Sequence, residues 1–294
     1  MFSTAQLQAL AAVCECGSFE GAARKLGLTP SAVSQRISAM ENTTGHVLVR
    51  RSRPVAPTQA GRVLNGLAQQ VALATADATA ILSGVKGGQA YEMVRLSLAI
   101  NADSLSTWFR PVIAQLAQER RILLDLHIED QDHTDVLLRE GEVMAAVTTS
   151  ANPPPGCQVE PLGSMTYWPT CAPSLLAGRV PKDCHPGSLP MLRFDLKDDL
   201  QHAYLRQAHI NQEPPIHYIP SNHEFLTAAR LGLGWGVLPD GQVRGDLTNG
   251  TLVLLEPQQS IIVPLYWQRW RVPYKTVAHV TTLAKRAAQV GLSH

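Results

Sequence analysis

Residues 18–61 read SFEGAARKLGLTPSAVSQRISAMENTTGHVLVRRSRPVAPTQAG. This stretch predicts two short helices around a tight turn, then a basic, proline-broken wing. Gly21-Ala22-Ala23 sits in an apolar-periodic run ending at Leu26, where small side chains let a second helix approach. Gly27 can stop the first helix, because glycine is favoured just past a helix end. Thr29 suits the N-cap of the second helix, and Pro30 fits its first turn, where no backbone N–H is needed. Ala32, Val33, Ile37 and Met40 recur at helical spacing and are expected to face the core. Ser31, Ser34, Gln35, Arg36 and Ser38 are left pointing mostly outward. Thr29, Pro30, Ser31, Ser34 and Gln35 can then meet base edges and phosphates, while Arg36 meets bases or lies along a phosphate. Such a layout sets a helix in the DNA major groove with a loop beside it.

Arg50, Arg51 and Arg53 fall within four residues, closed by Pro54 and Pro57. Alone they describe a solvated basic turn. Directly after a helix-turn-helix pattern they describe a wing on phosphate or the minor groove. Residues 58–83 contain no proline and carry the stripe Val63, Leu67, Val71, Leu73, Ala74, Ala78, Ile81 and Leu82. A helix of ~25 residues spans ~38 Å, and its stripe buries either against a second copy of the chain or against its own domain. Gly84, Gly87 and Gly88 mark a hinge. The expected domains are a winged helix-turn-helix over 1–58, a linker helix and hinge over 59–88, and an α/β body over 89–294.

The body reads β-α-β-α-β. Strands are expected over 94–100, 122–128 and 144–149, with helices over 108–118 and 134–139, which favours a mostly parallel sheet covered on both faces. Pro153-Pro154-Pro155-Gly156 marks a crossing into a second lobe whose strands lie near 189–194, 217–219 and 236–238. Residues 251–255 and 261–267 are expected to return to the first lobe. Lobe I then spans about 89–152 and 251–294, and lobe II about 153–250, a two-lobed arrangement like that of periplasmic binding proteins. A ligand would lie between lobes, outside strand C-termini. The polar residues expected there are Asn101, Asp103, Ser104 and Ser106 after the first strand, Glu129 and Asp130 after the second, Asp195 in the second lobe, and Ser221 and Glu224. Carboxylates facing a cleft suit an ammonium or guanidinium group. Each has a plainer reading: Asp103 and Ser104 start a helix, Glu129-Asp130 makes a solvated turn, Asp195 opens a charged run, and Ser221 with Glu224 forms an S-x-x-E capping box. Trp108 fits the core better than a ligand wall.

Charge separates along the chain. The formal net charge is +1 over 294 residues. The first 90 hold eight Lys/Arg against four Asp/Glu, and the remainder seventeen against twenty. A basic head on a slightly acidic body suits one polyanion and one cationic or zwitterionic ligand. The five cysteines, Cys14, Cys16, Cys157, Cys171 and Cys184, show no metal-ligand spacing with histidine and read as free thiols of a reducing cytoplasm. No metal site, cofactor motif or catalytic G-x-S-x-G is recognised. Gly232-Leu233-Gly234-Trp235-Gly236 precedes a strand, whereas a phosphate cradle follows one. No leader and no membrane span are expected. An enzyme with a DNA-binding appendage, or an architectural DNA-binding protein without ligand, are the competing classes.

Leu28-Thr29-Pro30-Ser31-Ala32-Val33-Ser34, Ala22-Ala23, Ile37, Met40-Glu41, Gly45, Leu48, Arg50 and Thr58-Gln59-Ala60-Gly61 together resemble the LysR-type transcriptional regulators. Many members carry phenylalanine where Val49 stands here. The segments 96–108, His127-Ile128-Glu129-Asp130, 139–143 and 194–199 extend the resemblance over essentially the whole chain, toward the lysine- and arginine-responsive subgroup, the ArgP (IciA) and LysG type. This implies a cytoplasmic homodimer or homotetramer that binds double-stranded DNA and senses lysine or arginine, or another small effector. It also implies control of genes such as an amino-acid exporter, with RNA polymerase as a further candidate partner.

Overall fold

The computed structural model describes residues 2–82, 93–128 and 131–294. The expected glycine hinge (Gly84, Gly87, Gly88) and the candidates Glu129 and Asp130 lie outside these residues. The chain forms two compact units. The first comprises Met1–Ile100, Ala114–Glu160 and Trp267–Thr282, and the second Asn101–Ile113, Pro161–Tyr266 and Leu283–His294.

The first unit opens with α1 (Thr4–Cys16), α2 (Phe19–Leu26), α3 (Pro30–Thr44), the two-stranded wing β1 (Val49–Arg50) and β2 (Ala56–Pro57), and α4 (Gln59–Leu82). A capping box starts α1: Ser3 accepts from the backbone of Gln6, whose side chain accepts from the backbone of Ser3. Thr29 caps α3 by accepting from the Ala32 amide, Pro30 occupies the first turn, and Gly27 ends α2 in the left-handed region. Leu10, Val13, Ala22, Ala23, Val33, Ile37, Met40 and Leu48 close one apolar core. Ala32, expected in it, is only half-buried.

The stripe on α4 divides between two faces. Of its residues, Val71 packs on the core of the head, beside Leu64 and Ala68 that the stripe did not include, and Leu73 is buried, while Val63, Leu67 and Leu82 stay exposed. The side chain of Ile81 lies outside those described.

From residue 93 the elements run β3 (Val94–Ala99), α5 (Ala102–Ser106), α6 (Arg110–Glu119), β4 (Ile122–His127), α7 (Gln131–Glu140), β5 (Ala145–Thr148) and β6 (Cys157–Cys171). Then follow β7 (Met191–Arg193), α8 (Leu200–Gln207), β8 (Ile216–Tyr218), α9 (Asn222–Arg230), β9 (Gly236–Pro239), α10 (Asp240–Asn249), β10 (Val253–Leu254), β11 (Ile261–Trp270) and α11 (Lys275–Gly291). In the first unit β3 pairs in parallel with β4 and β5, in register Val94↔Ile122 and Leu98↔Ala145. In the second unit β9 and β10 pair antiparallel with β6, at Trp168↔Leu238 and Val253↔Cys171, and β7 pairs in parallel with β8.

The three strands of the β-α-β-α-β run pair in parallel as expected, and the fifteen-residue strand β6 adds antiparallel partners in the second unit. One expectation changes. Residues 253–254 stay in the second unit, since β10 pairs with the far end of β6; the chain rejoins the first unit only at Trp267.

In the first unit α4 also meets the end of α7. Arg62 Nε lies 2.6 Å from Glu140 and 3.0 Å from Glu142. Gly66 approaches Gly141 so closely that a Cβ there would stand 2.6 Å from the Glu140 carbonyl oxygen and 2.7 Å from Gly141 Cα. Arg95 on β3 reaches Glu15 of α1 at 2.7 Å and Asp125 at 3.3 Å.

Candidate functional site

On the head, Thr29, Pro30, Ser31 and Gln35 are exposed along the start of α3, and Arg50, Arg51 and Arg53 are exposed around the wing. Ser34, Arg36 and Ser38 are half-buried rather than fully outward. Arg36 turns back on α1, donating to the Ala5 carbonyl at 3.4 Å. The Arg51 guanidinium rests 5.8 Å from the centre of the Phe19 ring, a cation–π contact. The wing is anchored to the head by the Val55 amide, which donates to the Gly17 carbonyl at 2.8 Å.

The second unit holds a closed polar ring. Asn101 starts α5 by accepting from the Ser104 amide at 3.2 Å, which sets Asp103 in the first turn. The Asp103 carboxylate accepts from the Tyr167 hydroxyl of β6 at 3.0 Å and from the Asn222 side-chain amide of α9 at 2.7 Å. The Asn222 side-chain oxygen accepts from Gln242 of α10 at 2.7 Å. The same Gln242 nitrogen donates to Ser106 Oγ at 2.7 Å, and Ser106 donates to the Asp103 main-chain oxygen at 3.1 Å. Both branches from Gln242 therefore end on Asp103.

Asp103 is half-buried as a residue, yet protein atoms crowd its carboxyl group. Desolvation pushes its pKa up, against the hydrogen bonds from Tyr167 and Asn222, with the nearby Asp198 carboxylate adding to the rise. Burial, then the Asp103 charge, holds the Tyr167 hydroxyl well above its ordinary value. Among the described residues no cationic side chain is paired with Asp103; its ring donors are neutral.

Of the other residues expected at a ligand site, Ser104 is fully buried with its hydroxyl unpaired. Asp195 instead closes its own turn, accepting from the amides of Lys197 and Asp198 at 2.8 and 3.0 Å. Ser221 caps α9 by accepting from the Glu224 amide, and Glu224 itself is exposed. Trp108 is core, 4% exposed and edge-on to Phe109. Tyr167, Asn222 and Gln242 were not singled out from sequence, and Asp198 stood there only as a lesser member of the charged run after Asp195. Asn222 had a faint signal as the neighbour of the cap Ser221; Tyr167 and Gln242 had none. Among the described residues no group of three or more His, Cys, Asp or Glu could hold a metal ion. Burial pushes the thiols of Cys14, Cys157 and Cys171 up to about 12, about 11 and about 12, which disfavours reactive thiolate.

A winged helix-turn-helix head with a basic wing, followed by a long helix and an α/β body, defines a single-chain transcription regulator. The model of the bacterial regulatory helix-turn-helix proteins of the lysR family matches residues 4–62, and that of the LysR substrate binding domain matches residues 89–289. The chain belongs to the LysR family of transcriptional regulators. It is 42% identical over 290 residues to the lysine export transcriptional regulatory protein LysG of Corynebacterium glutamicum, covering 98% of each chain. It superposes on the crystal structure of ArgP from Mycobacterium tuberculosis with a TM-score of 0.84 and 39% identity, over 100% of this chain and 99% of that one. The structure of full-length LysG from Corynebacterium glutamicum with bound effector Arg gives 0.74 and 40%, with full coverage of both. These likenesses establish the helix-turn-helix head and two-lobed α/β body.

Proposed function

We propose that this regulator senses a basic amino acid, lysine or arginine, and controls genes such as an amino-acid exporter. The observation that carries the proposal is the Asp103 carboxyl group, desolvated and bound only by neutral donors among the described residues. An ammonium or guanidinium group complements it. Ser104 and Ser106, with Asn101 setting their turn, would meet the polar end of the same ligand. Glu129, Asp130, Asp195, Ser221 and Glu224 are secondary candidates. The arginine bound by the related LysG supports the same ligand class.

Thr29, Pro30, Ser31, Ser34, Gln35 and Arg36 would face the DNA groove, with Arg50, Arg51 and Arg53 on backbone phosphates. The exposed Val63, Leu67 and Leu82 of α4 suit a second copy of the chain, giving a dimer or tetramer. The effector acts by population shift: it binds one arrangement of the body better than another, and only that difference in affinity moves the DNA heads. Among the described residues no helix is long and apolar enough to cross a membrane. We place the protein in the cytoplasm, acting beside RNA polymerase and without a catalytic role, as its regulator relatives suggest.

Thermal unfolding of the full chain against the twenty amino acids tests the reading. Selective stabilisation by lysine or arginine is expected, because a ligand of the native state raises apparent stability by mass action. A shift with neutral or acidic amino acids alone, or with none, would sink it. On the DNA side, Gln35→Ala should lose about 1–3 kcal/mol of base discrimination, whereas Arg53→Ala should weaken all DNA alike and flatten the salt dependence.

A further inference from the structure

We infer that the Asn222 amide is an internal stand-in for the effector's cation at Asp103, and that Gln242 is the positioning residue that holds it there. This rests on Asp103 being the effector's counter-charge. It goes further, because it says what occupies that carboxylate before the effector arrives.

The chemistry of the ring fixes the orientation of every group in it. An ionised carboxylate only accepts, so the Asn222 atom 2.7 Å from Asp103 is its NH2 nitrogen. The Asn222 oxygen then faces Gln242, whose NH2 must point inward, at 2.7 Å from Asn222 and 2.7 Å from Ser106. The Ser106 hydroxyl proton is left for the Asp103 main-chain oxygen at 3.1 Å. Gln242 thus uses both amide protons to hold the ring, and Asn222 has one stable direction. The result is a nitrogen donor on the carboxylate at the distance usual for charged N–H···O pairs.

The stand-in is neutral. It satisfies the hydrogen-bonding capacity of Asp103 but leaves its charge uncompensated, and the negative Asp198 nearby sharpens that deficit. An ammonium or guanidinium nitrogen at the same oxygen supplies both the hydrogen bond and the charge. It therefore displaces Asn222, while a side chain without a cation has nothing to gain by doing so. Displacement also unties α9 from α5 and from α10, because the Asn222–Asp103 and Gln242–Asn222 bonds are made through the group that leaves, while Gln242 keeps α10 on α5 through Ser106.

An internal competitor has a distinctive signature: weakening it tightens the ligand. Gln242→Met keeps the side chain's length and removes both donors. Calorimetric titration of the full chain with arginine and with lysine should give binding about two- to tenfold tighter in Gln242→Met than in the wild type, the effect of one neutral hydrogen bond, alongside a lower melting temperature without ligand. In nitrogen-15 spectra the Asn222 side-chain amide signals should move when arginine is added to the wild type and should already be displaced in Gln242→Met. Unchanged or weaker binding in Gln242→Met would overturn the stand-in, as would Asn222 signals that ignore arginine. Asp103→Asn, titrated in parallel, separates the two ideas. Undiminished arginine and lysine binding there overturns the counter-charge reading itself, whatever Gln242 does. Lost binding there with weaker binding in Gln242→Met overturns the stand-in alone.

Discussion

Two polar clusters in this protein are built on opposite principles. In the first unit the charges come in matched sets: Arg62 with Glu140 and Glu142, Arg95 with Glu15 and Asp125, and Lys25 with Glu15. In the second unit the Asp103 carboxyl is desolvated and, among the described residues, answered only by the neutral donors Tyr167 and Asn222. A charge that folding has paired is finished chemistry; it fastens α1 and α4 to β3 and the end of α7. A charge withdrawn from water and left with neutral donors is disfavoured, and that kind of disfavour marks functional sites. The difference separates the cluster that holds the first unit together from the one prepared for a ligand.

The sharpest way to break this contrast is Asp103→Asn. Removing one partner of a desolvated charged contact typically loses about 2–5 kcal/mol of binding, so arginine and lysine affinity should fall by well over tenfold in calorimetric titration. The stability of the ligand-free protein should move the other way. Asp103 has a folded-state pKa above its ordinary 3.8, so the folded chain holds that proton more tightly than the unfolded chain does. Its contribution is present at low pH and is lost as pH rises through the raised value. Asp103→Asn should therefore melt higher than the wild type at neutral pH, and the gap should close as pH falls toward the ordinary aspartate range. The groups facing this carboxyl that set the window are Tyr167 and Asp198. Arginine affinity of the wild type should fall over that same window, because the ligand needs the ionised form. A melting gap that grows on acidification would show that Asp103 stabilises the fold as an anion, and the contrast would fail.

A middle-sized effect is expected from Gly66→Ala in the other cluster. The added methyl would stand 2.7 Å from Gly141 Cα and 2.6 Å from the Glu140 carbonyl oxygen, both backbone, so no side chain can swing aside. Overpacking of this kind loses about 1–3 kcal/mol, and it prises α4 from α7 at the point where Arg62 meets Glu140 and Glu142. Denaturant unfolding should register the loss. Arginine affinity should stay near wild type, since no residue of the Asp103 ring is touched. Equal damage to both readouts would mean that the two clusters are not separate devices.

How much of this was legible in the sequence follows from how local each feature is. The head declares itself within forty-odd residues: Thr29 before Pro30, Gly27 and Gly45 after their helices, and an apolar spacing that needs no distant partner. The helix α1 passed unread although Ser3 and Gln6 form its capping box, because the apolar residues around it show weak amphipathic contrast. Strand β6 was hidden by Pro161, Gly163 and Pro169, which break most strands; here Pro169 sits in register opposite Val237. The ring is the hardest case. Asp103 and Ser106 stood out as polar residues after a strand, but Tyr167, Asn222 and Gln242 come from three other elements and meet only in the folded chain. Asp195 and Ser221 looked equally promising in the sequence, and folding gave them a turn and a cap. Residue type marks what a side chain can do, while only the fold decides whether a local amide uses up that capacity first.

The smallest expected effect sharpens the contrast from the paired side. Glu15 and Arg95 are 2.7 Å apart, yet their side chains are 34% and 42% exposed, so water already answers much of either charge. Exposed pairs of this sort are worth about 0.2–1 kcal/mol. A double-mutant cycle of Glu15→Ala, Arg95→Ala and both together should return a coupling energy in that range, falling as salt is added because exposed charges are screened. Each single variant also frees a neighbour, Lys25 or Asp125, which water can take up at little penalty. Asp103 has no such recourse: its neutral donors cannot cancel its charge, and its surroundings keep most water out. A coupling of several kcal/mol between Glu15 and Arg95, insensitive to salt, would show the first cluster to be as desolvated as the second, and the reason for treating Asp103 as the singular site would disappear.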